Sequence, residues 1–97
     1  SVADYLSFKK GIEERIAENE LGIEAFKVRL KNSKNKNRAA DQKRVDELEQ
    51  RNINMRKKLE EYEANGKDNW EAFKTEFNHD MDDLGQALKN LSIKNTK

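Results

Sequence analysis

Between Asp68 and Leu91 the chain sets Trp70, Phe73, Phe77, Met81, Leu84, Leu88 and Leu91 at steps of three or four residues. That spacing is the period of one helix face, about 3.6 residues per turn. No other stretch carries as much apolar bulk, so any core has to be built against this helix. Trp70, Phe73, Phe77, Leu84 and Leu88 are its candidate core or interface residues. Aromatic side chains at helical spacing more often form packing surfaces than ligand boxes.

Two further seams precede it. Val2, Tyr5, Ile12, Ile16, Ile23, Phe26 and Leu30 predict a first helix over 2–31, with Lys9 and Asn19 interrupting the two rows. Leu6, Phe8 and Leu21 widen that face, as a helix touching two neighbours requires. Gly11 and Gly22 each cost about 1 kcal/mol against Ala inside a helix, so either they permit close packing or the helix is locally weak. The stretch Asn32 to Asn37, NSKNKN, is the clearest break, with Asn35 or Asn37 as the expected cap of the next helix. Val45, Leu48, Met55, Leu59 and Tyr62 then predict a second helix over 38–64, narrower in its seam, with Asn52 in the gap and Ile53 off the face. Surface support within this helix is expected from Asp46 with Gln50 and from Arg56 or Lys57 with Glu60 and Glu61. Asn65-Gly66 supplies a left-handed end. Asp68 and Glu71 form a capping-box pattern opening a third helix over 69–91, ahead of a disordered tail from 93 to 97.

These elements predict an all-α single domain over 1–97, an antiparallel up-down-up three-helix bundle of coiled-coil character. The alternative is a long helical hairpin that dimerises through its third helix. Folding back around Lys34 sets Asn19 and Asn52 at similar heights. A buried pair there would fix register at some expense of stability; the reading preferred from sequence is that each Asn points to solvent.

Composition agrees with helices. There is no Pro, β-branched residues are few, and 40% charged against 34% hydrophobic residues suits thin helices sharing a narrow seam. A formal net charge of +1 gives no bulk argument for a polyanion or membrane partner. The absence of Cys removes disulfide, thiolate-zinc and cysteine-nucleophile chemistry. No apolar run reaches membrane-spanning length and the N-terminus carries no signal pattern. Ser1 in place of Met is consistent with removal of the initiator or trimming from a longer precursor. The expectation is a soluble, cytoplasmic protein.

Candidate chemistry is sparse. His79 and Asp83 share a helix face, with Asp80 and Asp82 adjacent, a spacing able to meet a divalent cation. A solvated acidic face explains the same residues, and no second cluster completes a coordination sphere, so no metal or other cofactor is expected. A lone His without nucleophile or orienting partner does not make a catalytic site. The second feature is charge segregation. Residues 27 to 44 hold eight cations against Asp41, and residues 60 to 83 hold nine carboxylates against Lys67 and Lys74. Lys31, Lys34, Lys36, Arg38 and Lys43 are therefore candidate contacts for phosphate, on nucleic acid or an anionic membrane. Solvated helix ends are the preferred reading, since no aromatic beyond Phe26 is available for base stacking.

The pattern WxxFKxEFNxDxDxLG resembles the C-terminal helix of small bacterial coiled-coil proteins that are uncharacterised or stress-associated. It is carried by Trp70, Phe73, Lys74, Glu76, Phe77, Asn78, Asp80, Asp82, Leu84 and Gly85. The resemblance covers this helix; elsewhere the match is one of Lys/Glu-rich character. It implies no enzymatic activity, cofactor or small-molecule substrate, and a stress-linked structural or interaction role with an unknown protein partner or a second copy.

Overall fold

Three helices carry residues 2–64 and 68–94, the part of the chain this computed structural model describes. They are α1 (Val2–Lys31), α2 (Arg38–Ala64) and α3 (Trp70–Lys94). α1 and α2 have 30 and 27 residues, and α3 has 25, running three residues past the expected end at 91. The tail expected from 93 thus begins inside a helix. Its last residues, the capping role of Ser1 and the Asn65-Gly66 helix end all lie outside the described residues.

Local chemistry sets the boundaries. Asp4, Asp41 and Glu71 occupy first turns, and Arg29 with Lys31 the last turn of α1, each sign matching the helix dipole. Between α1 and α2 the Asn32 side chain donates to the Val28 carbonyl, and the Ser33 amide to that of Leu30. The Asn35 carboxamide oxygen then accepts from the Asn37 N–H at 2.9 Å, closing the turn, while the Asn37 carbonyl takes the first α2 bond, from Asp41. At α3 the cap expected at Asp68 moves one residue on. Asn69 adopts φ 56°, a left-handed conformation that Asn tolerates, and its carbonyl accepts from Phe73 N–H.

Cross-helix contacts define the topology. Residue numbers fall along α2 as they rise along α1 in Tyr5–Leu59, Asn19–Asn52 and Lys27–Glu49, so α1 and α2 are antiparallel. They rise together in Phe8–Trp70 and Arg15–Asp82, so α3 runs parallel to α1. The result is an up-down-up three-helix bundle, a rod of 51 × 18 × 17 Å. Tyr5, Ile12, Ile16, Ile23, Phe26 and Leu30 meet Val45, Leu48, Met55 and Leu59 beneath Phe77, Met81, Leu84 and Leu91. Trp70, Phe73 and Leu88 pack half-buried against that core.

Several expectations need correction. Val2 and Leu21 are 63% and 73% exposed, and Leu6 is exposed too; only Phe8 widens the core face of α1. Gly11 and Gly22 do not serve close packing, since a Cβ on either would meet nothing within 4 Å. They are weak points in α1. Two of the side chains expected to pair within α2 find other partners. Arg56 reaches Glu20 of α1 at 2.7 Å and Lys58 faces Asp80 of α3 at 3.6 Å, while Asp46 accepts from Gln42 rather than Gln50.

The largest correction concerns Asn19 and Asn52. Asn52 is only 2% exposed, donates to the Ile16 carbonyl at 3.1 Å and accepts from the Asn19 side chain at 3.0 Å. Asn52 is buried and Asn19 half-buried between α1 and α2, each turned to the other instead of to solvent. Among the described residues no buried side-chain nitrogen or oxygen lacks a partner. Asn52→Ala is expected to cost about 2 kcal/mol, by removing one partner of a buried polar pair. Asn19→Leu with Asn52→Leu is expected to melt as high as the wild type or higher, because apolar replacement of both members removes the desolvation penalty. Urea unfolding of the three proteins checks both outcomes.

Candidate functional site

The antiparallel turn gathers the cations of residues 27 to 44 at one end of the rod. Lys31, Lys34, Lys36, Arg38 and Lys43 are all exposed there. Among the described residues none of the five enters an ion pair, whereas neighbouring cations are engaged. Lys27 donates to Glu49 at 2.6 Å, Arg29 lies 5.6 Å over the Phe26 ring, and Arg44 reaches Glu47 at 3.4 Å. The tip is therefore a set of open cations around a turn whose backbone bonds are closed from within. It offers charge and no aromatic platform.

The opposite end is aromatic inside. Every aromatic side chain except Phe26 collects there: Tyr5 and Phe8 from α1, Tyr62 from α2, and Trp70, Phe73 and Phe77 from α3. Tyr62 stacks on Phe73 with centroids 3.7 Å apart, and Trp70 meets Phe8 edge-on at 5.2 Å. The Tyr62 hydroxyl donates to the Asp68 carbonyl, tying the α2–α3 connection to the same cluster. Sequence periodicity had marked each of these rings separately. Their convergence follows from the antiparallel turn, which brings position 62 back beside position 5.

The α3 motif residues divide between these roles. Phe77 and Leu84 are fully buried, while Trp70, Phe73 and Leu88 flank the core. Asp82, expected beside His79, turns instead to Arg15 at 2.9 Å. That leaves His79, Asp80 and Asp83, whose ligand atoms lie within 4.8 Å of one another. His79 and Asp83 are exposed and Asp80 already faces Lys58, so the group is a surface charge cluster with a competing cation.

Two shallow clefts open between α1 and α3, where the glycines leave room. One, of about 280 Å³, lies over Gly22, Phe26 and Leu88; the other, of about 370 Å³, lies over Phe8, Gly11 and Arg15. No family model matches this chain, nor does any curated protein or any solved structure. Among the described residues no helix is long and apolar enough to cross a membrane.

The helix ties and the aromatic end perturb titration. The hydrogen bond to Glu63, at 2.6 Å, holds the Lys9 ammonium above its ordinary range, and Glu49 does the same for Lys27. Burial pushes the Tyr5 hydroxyl up, with Glu63 adding to it, and burial likewise raises Tyr62. In each case the folded value lies above the unfolded one, near 10 for Tyr and 10.5 for Lys. The stability these groups contribute is complete below those values and is lost as pH rises through the folded ones. Melting temperature is therefore expected to fall as pH is raised above about 10, with a shallower alkaline limb for Tyr5→Phe. Circular-dichroism melts across alkaline pH measure it.

Proposed function

We propose that this chain is a non-enzymatic helical rod with a structural or protein–protein interaction role. The single observation that carries this reading is the use made of its polar side chains. Asn19, Asn52, Lys9, Lys27, Arg15 and Arg56 are all spent on ties between helices. The stress-linked setting implied by the Trp70–Gly85 pattern belongs to the same proposal. The purified chain is expected to turn over no chromogenic ester, phosphoester, glycoside or peptide. A turnover that disappears on replacing one polar residue overturns the reading.

A second reading is favoured by one contrast. Lys9, Lys27 and Arg56 along the rod are matched across helices, while Lys31, Lys34, Lys36, Arg38 and Lys43 at its tip are open. On this reading the tip meets phosphate groups of a nucleic acid or an anionic lipid surface. Fluorescence anisotropy with duplex DNA, duplex RNA and anionic vesicles is expected to detect weak binding at low salt. Its log–log salt slope on duplex DNA would approach about 4.5 in magnitude if all five cations engage. Replacing the five with Gln should abolish binding; unchanged binding by that variant sinks this reading.

A further inference from the structure

The outer face of α1 carries apolar side chains that the bundle does not use. Val28 is 61% exposed and Leu6 52%, and with Leu21 they exceed every exposed large apolar side chain of α2 and α3 among the described residues. At about 100° per residue, Leu6, Lys10, Ala17, Leu21, Glu24 and Val28 all fall about 120–180° away from buried Ile12, on one stripe. All six are exposed. Lys10 has no ion-pair partner among the described residues, and Glu24 has only a distant one, Lys27 at 3.8 Å.

We infer that this stripe pairs with the same stripe of a second copy, antiparallel, about a two-fold axis passing at Ala17. The stripe is self-complementary in that register. Counting outward from Ala17 in both directions, Lys10 and Glu24 are each seven residues away, and Leu6 and Val28 are each eleven away. The axis therefore sets Lys10 against Glu24 of the second copy twice and Leu6 against its Val28 twice. The small Ala17 lies at the crossing, where backbones approach most closely, with Leu21 one turn away covering the second copy's Ala17 and the methylenes of its Glu13. A two-fold contact uses one patch on both partners, as an isologous interface requires.

The charges of the stripe itself select the antiparallel arrangement over a parallel one. Antiparallel copies lay each Lys10 beside a Glu24; parallel copies would lay Lys10 beside Lys10 and Glu24 beside Glu24. One helix per partner is a small interface, so association in the micromolar range is expected rather than an obligate dimer. This inference rests on the interaction role proposed above and narrows it to a second copy through α1.

Sedimentation velocity over micromolar to millimolar protein tests it, with far-ultraviolet circular dichroism to verify that each variant is folded. The wild type is expected to dimerise with concentration. Lys10→Glu and Glu24→Lys are each expected to weaken association about tenfold, since each reversal replaces two attractions with two repulsions. The doubly reversed Lys10→Glu/Glu24→Lys chain is expected to return to the wild-type value, which a generally disturbed helix would not do. Leu21→Glu is expected to leave a monomer. A wild-type monomer at every concentration overturns the pairing, as does a dimer that none of these variants weakens. Neither outcome touches the wider interaction role, which fails only on the turnover measurement.

Discussion

A narrow apolar seam between two long helices can slide, and the Asn19–Asn52 pair is what stops it. A one-turn slip moves one helix about 5.4 Å along the other. It would leave the Asn52 carboxamide facing apolar side chains with neither the Ile16 carbonyl nor Asn19 in reach. The cost of an unpaired buried amide is thus assigned to every wrong register and none to the right one. The other ties between α1 and α2 agree with that register. Lys9–Glu63 near one end and Lys27–Glu49 towards the other both close at 2.6 Å, with Arg56–Glu20 between them. Individually such half-exposed pairs contribute little. Together they repeat one instruction along the length of the hairpin.

Once the hairpin is in register, Tyr62 arrives beside Tyr5, and the seat for α3 exists. The third helix is held by different physics. Its first turns are clamped by aromatic rings, and its middle by Arg15–Asp82 and Lys58–Asp80 on the outside of Met81 and Leu84. Towards α1 the fit is looser. Gly11 and Gly22 contribute no side chain, and a Cβ on Gly85 would reach only Arg15, at 4.0 Å. The two clefts lie where α1 lacks that bulk. α3 is therefore anchored at the aromatic end, while the hairpin is tied throughout.

The three helices were legible from residue spacing because seams at a 3.6-residue period leave few alternatives in a chain without Pro and with few β-branched residues. Helix ends were less so. Asn69 took over from Asp68 because a left-handed cap is available to Asn, and a sequence pattern does not record φ. The Asn19–Asn52 pair was visible as two gaps in two rows, yet which way each side chain turned depended on the partner's height, a tertiary fact. Val2, Leu6 and Leu21 misled for the complementary reason. Periodicity marks apolar residues without saying which neighbour stands opposite, and α2 and α3 together cover only one side of α1. The basic tip is legible as a run of charge, whereas the pairing of Lys9, Lys27 and Arg56 is not, because their partners lie far away in sequence.

Charge placement at the tip goes further than folding requires. Arg29 and Lys31 close α1 where the helix dipole favours cations, so the fold accounts for them. Arg38 and Lys43 sit in the opening turns of α2, where the same dipole disfavours positive charge, and Asp41 is the only carboxylate there to offset it. Lys34 and Lys36 lie in a turn whose hydrogen bonds come from Asn and Ser side chains and from backbone, and which would close equally well with neutral residues. The outer stripe of α1 has the same character, with Leu6, Leu21 and Val28 in water at some cost in hydration and no return in core packing. Both features exceed what the packing of the single chain requires.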